Sequence, residues 1–127
     1  MKFTIFGNQE NPTGNPIGYH RTTQGSFWNK GSKRYYEWKH HVVKAYLAET
    51  KTQLGKSEKP INLGTAKAYL HTMIYYATNA RPDPDNVQKG IADALFVNDK
   101  SVAGSYDFAM DKKNPRVEVT IEICATS

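Results

Sequence analysis

Lys67-Ala68-Tyr69-Leu70-His71-Thr72-Met73-Ile74-Tyr75-Tyr76-Ala77-Thr78, followed after two residues by Arg81-Pro82-Asp83-Pro84-Asp85-Asn86-Val87-Gln88-Lys89, is the stretch on which the fold turns. The first run is β-prone throughout and predicts a long central strand over 67–78. From Asp85 to Phe96 the pattern becomes helical, with Val87, Ile91, Ala94 and Leu95 forming a buried stripe.

Working outward, Lys2-Phe3-Thr4-Ile5-Phe6 alternates and reads as a first strand ended by Gly7. Asn8 to Gly31 is polar and broken by repeated Gly and Pro; structureless segments of that length are uncommon in a compact domain and are often functional. Tyr35 to Leu54 has helical periodicity, with Tyr35, Trp38, Val42, Ala45 and Tyr46 on one side and Gly55 as a stop. Lys56–Gly64 and Asp111–Pro115 read as loops and Asn98-Asp99 as a turn, while Lys100–Phe108 is ambiguous between extended and irregular. Val117, Val119, Ile121 and Ile123 alternate with polar residues, the mark of a strand with one wet face. The expected architecture is mixed α/β (α+β): one domain spanning 1–127, a single small mixed sheet packed against two main helices.

The hydrophobic fraction of 39% and charged fraction of 23% argue against global disorder. Seventeen Lys and Arg against 12 Asp and Glu give a net charge of +5, which favours an anionic partner such as nucleic acid or an acidic membrane surface. No apolar run approaches the roughly 18 residues of a membrane span, and Met1–Gly7 does not fit a signal peptide, so the expected setting is soluble and intracellular. The single cysteine, Cys124, excludes an intrachain disulfide and reads as a small core residue.

His20, Arg21, Lys30, Lys33 and Arg34 lie in and just after the long loop, beside Tyr19, Phe27 and Trp28. Interleaved cations and rings suit nucleic acid, the charges meeting phosphates and the rings stacking on bases; Phe27 and Trp28 fit equally as anchors to the core. Lys39, His40, His41 and Lys44 extend a basic face, but adjacent histidines diverge on a helix, so His40-His41 is not a metal pair.

Asp83 and Asp85, two apart in extended chain, project to one side, and Pro84 holds Asp83 away from helical angles. Oxygen donors this close repel unless a cation lies between them, and they suit Mg²⁺ or Mn²⁺. Asp85, Lys89 and Asp93 follow i, i+4, i+8 along one helix face, which Asn86 joins. Local structure offers its own explanations. Asp85 with Gln88 resembles a capping box, and Asp85 with Lys89 an exposed ion pair of about 0.3–0.5 kcal/mol. A calcium loop fits poorly, because Val87 falls at the fifth ligand position and no glycine stands at the sixth.

Arg81-Pro82-Asp83-Pro84-Asp85-Asn86-Val87-Gln88-Lys89, then Asp93-Ala94-Leu95, then Asn98-Asp99-Lys100-Ser101-Val102, resembles the RusA family of Holliday-junction resolvases. The family pattern is roughly D-x-D-N-x-x-K-x-x-x-D-A-L followed by an acidic pair before S-x-V. The resemblance implies a small homodimeric endonuclease, bacterial or phage-encoded and cytoplasmic, that uses Mg²⁺ to cut four-way DNA. It implies Asp83, Asp85 and Asp99 as metal-binding carboxylates and Lys89 as a catalytic lysine. Here Asn98 replaces the first acid of the pair and the link from Leu95 to Asp99 is short, which makes Asp93 an alternative ligand.

The expected reaction is phosphodiester hydrolysis, with His20, Arg21, Lys30, Lys33, Arg34, Lys112 and Lys113 contacting phosphates. Two-fold symmetry of a four-way junction matches a C2 dimer. Competing expectations are a non-catalytic branched-DNA-binding module of the same fold and a nuclease for flaps or branched DNA in general.

Overall fold

The computed structural model describes residues 1–21, 30–51 and 59–124. Four strands and two helices follow one another as β1 (Lys2–Phe6), α1 (Lys30–Thr50), β2 (Lys67–Tyr76), α2 (Pro84–Leu95), β3 (Val102–Met110) and β4 (Arg116–Cys124), with a short 3-10 turn at Asp99–Ser101. They form one mixed sheet in the order β1-β4-β2-β3, packed against the two helices, as the sequence patterns predict.

β2 alternates as its sequence requires: Ala68, Leu70, Thr72, Ile74 and Tyr76 are buried and the intervening side chains are not. β4 lies antiparallel to both β2 and β1. β3 runs parallel to β2, from Ala68 opposite Val102 to Tyr76 opposite Met110. Parallel neighbours need a crossover, and α2 supplies it by running back along the sheet between them. The ambiguous segment thus becomes a full strand. Its pattern hid this because β3 is an edge strand with most of its side chains exposed.

The core joins Tyr35, Trp38 and Val42 of α1 with Val87, Ile91, Ala94 and Leu95 of α2 and the inner face of the sheet, with Ala45 and Tyr46 partly buried against it. Gln88 fastens α2 to the sheet. Its Nε2 donates to the Leu70 carbonyl and to Thr72 Oγ1, each at 3.2 Å, and to the Ser105 carbonyl. Gly104 leaves the room this requires, since a Cβ there would overlap the Gln88 amide.

Several expectations shift. α1 begins at Lys30, five residues before the periodic stripe, because its first turn is polar and carries only Ser32 into the interior. It ends at Thr50, and Lys51 turns away at φ 56°; the expected stop around Leu54 and Gly55 lies outside the described residues, as do Phe27 and Trp28. β2 closes at Tyr76 rather than Thr78. Cys124 is exposed, not in the core, and Ile123 is 57% exposed; both lie beyond the last β4 residue that pairs with β1, Thr120. Among the described residues, no helix is long and apolar enough to cross a membrane.

Candidate functional site

The register fixes which residues share an end of the sheet. β1 finishes, β2 finishes, β3 finishes and β4 begins at the same end, where Phe6 faces Arg116, Tyr75 faces Arg116 and Tyr76 faces Met110. At this upper end lie the 8–21 segment, the start of α1, the 77–83 connection with the start of α2, and the 111–115 loop.

The 8–21 segment is held there by side-chain amides. Asn15 Oδ1 accepts from the Ala77 backbone N–H at 2.6 Å, and Asn15 Nδ2 donates to Thr78 Oγ1 and the Ala80 carbonyl, both at 3.0 Å. Further along, the Tyr19 N–H donates to the Asn86 carbonyl at 3.0 Å, and Asn86 Nδ2 returns a 3.1 Å bond to the Tyr19 carbonyl. Asn86 therefore docks the loop onto the start of α2. Gly18 is required by this contact, because a Cβ would press on Pro82 and the Asn86 amide.

Asp83 occupies the N-cap position of α2 in extended conformation (φ −63°, ψ 146°), and Pro84 is the first helical residue. The pre-proline restriction on Asp83 and the suitability of proline at the first helical position account for both. Asp83 makes no side-chain cap bond, and Asp85 lies inside the helix, so the capping-box reading of Asp85 is overturned. Both carboxylates are exposed at the upper end. The Asp85–Lys89 ion pair is absent among the described residues; Lys89 Nζ instead sits 4.3 Å from the Tyr19 ring centroid.

Arg81, quoted in the motif but not assigned a role from sequence, belongs to the same surface. Its guanidinium lies between the rings of Tyr76 (4.8 Å) and Phe108 (4.7 Å). Tyr76 donates to the Pro82 carbonyl at 2.7 Å. Its hydroxyl is pushed up to about 12, chiefly by burial, with Arg81 opposing and Asp83 and Asp85 adding to the rise. The only sequence signal for Arg81 was its place in the motif; the strand that brings Phe108 beside it was unassigned.

The expected DNA-contacting cations gather on this end: His20 and Arg21 in the docked segment, Lys30, Lys33 and Arg34 at the start of α1, and Lys112 and Lys113 in the 111–115 loop. All but His20 are exposed. Arg34 is paired with Glu10 and is the least available of them.

Asp93 is differently engaged. Its Oδ2 accepts from the Tyr35 hydroxyl at 2.7 Å and lies 3.3 Å from Lys39 Nζ, and its Oδ1 lies 3.3 Å from Lys59 Nζ. Burial opposes ionisation, but the Tyr35 hydroxyl and the two ammonium groups outweigh it and hold the Asp93 carboxyl below its ordinary value. Tyr35 is raised well above the usual phenol range, mainly by burial and by Asp93, with Asp99 contributing least.

Asp99 is where the expected carboxylates part company. Asp83 opens α2, whereas Asp99 follows its C-terminus, just before β3 begins opposite the start of β2. Twelve helical residues separate the two ends of α2, about 18 Å at 1.5 Å per residue. Among the described residues, no group of three or more His, Cys, Asp or Glu side chains is placed to hold one metal ion. Asp83 and Asp85 thus share an end and Asp99 does not.

A family model described as Endodeoxyribonuclease RusA matches residues 11–122 of the chain. No curated protein matches it.

Proposed function

The chain belongs to the RusA endodeoxyribonuclease family, and on that premise we propose that it is a Mg²⁺-dependent enzyme that resolves four-way DNA junctions by paired phosphodiester hydrolysis. The observation that carries the reading is the gathering of Asp83, Asp85 and the expected DNA-contacting cations on one end of the sheet. Carboxylates alone would repel DNA; set within a basic rim, and neutralised by a cation, they mark a place where a phosphate can be held.

Asp83 and Asp85 fit a hard cation by their donor chemistry: both are exposed oxygen ligands, and neither makes an ion pair among the described residues. Mg²⁺, or Mn²⁺ in its place, would supply Lewis-acid stabilisation of the scissile phosphate and a more acidic water. Asp99 is proposed as the third carboxylate. Lys89, one turn below Asp85, would meet the charge that builds on the phosphate oxygens. His20, Arg21, Lys30, Lys33, Arg34, Lys112 and Lys113 would position the backbone without reading sequence. The functional unit is proposed to be a homodimer acting in the cytoplasm.

A cleavage assay on a synthetic four-way junction tests this. Wild-type protein should cut in Mg²⁺ and not in excess chelator, and Asp83→Asn should abolish cutting while junction binding persists. Wild-type rates from Asp83→Asn would sink the assignment. The distance of Asp99 from Asp83 favours one competing reading, a branched-DNA-binding module without catalysis, which predicts binding and no nicks at any divalent-metal concentration.

A further inference from the structure

Lys89 has two carboxylates on its own helix face, Asp85 one turn before it and Asp93 one turn after. It pairs with neither among the described residues. Asp93 is taken up by Lys39, Lys59 and the Tyr35 hydroxyl. Lys89 Nζ lies instead 4.3 Å from the centroid of the Tyr19 ring, inside the ~6 Å reach of a cation–π contact. The choice of partner has a chemical consequence. A carboxylate would neutralise the ammonium and occupy its N–H donors. A ring face orients the group and leaves its charge and most of its donors for a phosphate.

The ring is held from several sides. The Tyr19 N–H donates to the Asn86 carbonyl and Asn86 Nδ2 donates back to the Tyr19 carbonyl, which fixes the residue to the first turn of α2, one turn before Lys89. Behind the ring stands Tyr35, edge to face at 5.4 Å and 71°. Tyr35 is itself 1% exposed, and its hydroxyl is bonded to Asp93 in the last turn of α2. Gly90, beside Lys89, makes the close approach possible: a Cβ there would stand 3.3 Å from Tyr35 Cε1 and 3.4 Å from the Tyr19 nitrogen. The two rings are thus tied to both ends of α2, and the lysine between those ties rests on a surface fixed relative to its own helix.

Lysine carries its charge on a flexible four-carbon stem. A group that samples every rotamer is seldom where charge develops, and a small misplacement is costly in rate. We propose that Tyr19 is a positioning residue for the cutting reaction: its ring, backed by Tyr35, aims the Lys89 ammonium at the scissile phosphate. This rests on the reading of Lys89 given above and adds what aims it. His20 and Arg21 follow Tyr19 directly, so the piece of chain expected to grip phosphates is also the piece that sets the lysine.

Two measurements on the full chain test it. In NMR spectra, protons over a ring face are shielded, so the Lys89 ε-methylene signal, identified by its loss in Lys89→Met, should lie upfield of the other lysines. It should stay there in Tyr19→Phe and return to the common position in Tyr19→Leu. In single-turnover junction cleavage with Mg²⁺ at saturating protein, Tyr19→Leu should be a few-fold slower than wild type and Tyr19→Phe close to it. Placed on Lys89→Met, which is slow in its own right, Tyr19→Leu should cost nothing more. Equal slowing by Tyr19→Leu in both backgrounds overturns the positioning role and leaves the nuclease reading standing. So does an unshifted Lys89 signal in the wild-type protein, which decides the matter even where Tyr19→Leu fails to fold. Wild-type cutting by Lys89→Met instead removes the lysine from the chemistry, and the inference with it.

Discussion

The hydroxyl of Tyr35 donates a 2.7 Å hydrogen bond to Oδ2 of Asp93, joining the first half of α1 to the last turn of α2. Lys39 and Lys59 complete the carboxylate's surroundings. Asp93 is thereby a strut between the helices. Tyr35→Phe should cost about 1–2 kcal/mol in urea unfolding, since a partly buried charge-assisted bond is lost, and should leave junction cutting near wild type at low temperature.

The same strut sets a pH dependence. The folded Asp93 carboxyl is held below its ordinary value, so its stabilisation is complete above the unfolded value of about 4 and fades as pH falls through the folded one. Asp93→Asn should therefore be less stable than wild type at pH 7, with the gap closing below about pH 4. Urea midpoints at pH 7 and pH 3 check the sign; a gap that widens in acid would contradict it.

Asp83 and Asp85 should behave in the opposite manner. Both are exposed, and Asp83 makes no side-chain cap bond, so Asp83→Asn and Asp85→Asn should change stability by no more than about 0.5 kcal/mol. Cutting should nonetheless fall by about 10²-fold or more. Thermal melts and single-turnover cleavage on the same preparations separate the two effects.

Lys89 lies over the Tyr19 ring, and the Tyr19 backbone is bonded to Asn86 in both directions. Lys89→Met should slow cutting by about 10²-fold with little loss of junction affinity. Tyr19→Leu removes an exposed cation–π contact of about 0.5–1 kcal/mol and should give a smaller defect, on the order of a few-fold, by loosening the lysine. Equal defects from both would mean that the ring itself meets the DNA.

Junction affinity should fall with salt, and the two cations at the start of α1 should contribute unequally. Lys33 has no ion-pair partner among the described residues, whereas Arg34 is committed to Glu10. Lys33→Ala should flatten the plot of log affinity against log salt by about one unit. Arg34→Ala should flatten it less, and Arg34→Ala with Glu10→Ala less still. Titrations between low and moderate salt resolve the slopes.

The two helices and three of the strands were legible because one face of each carries a period: Val87, Ile91, Ala94 and Leu95 for α2, and the alternation of β2 and β4. β3 was not, because Gly104, Tyr106 and Phe108 obey no burial pattern on an edge. Missing it also concealed the parallel crossover, and with it the placement of Asp99. The geometry around Asp83 was legible for a covalent reason, since proline on either side of it restricts the backbone whatever the tertiary fold. The docking roles of Asn15 and Asn86 were not, because an amide's partners across 62 and 67 residues leave no local trace.

The uncovered edge of β3 has a further consequence for when the protein would act. If resolution needs the paired cuts of the proposed homodimer, a lone chain that meets a junction leaves it unresolved. Below the concentration at which copies associate, resolution should then rise with the square of protein concentration rather than in proportion to it. A junction, by recruiting two copies side by side, would itself assemble the pair that resolves it.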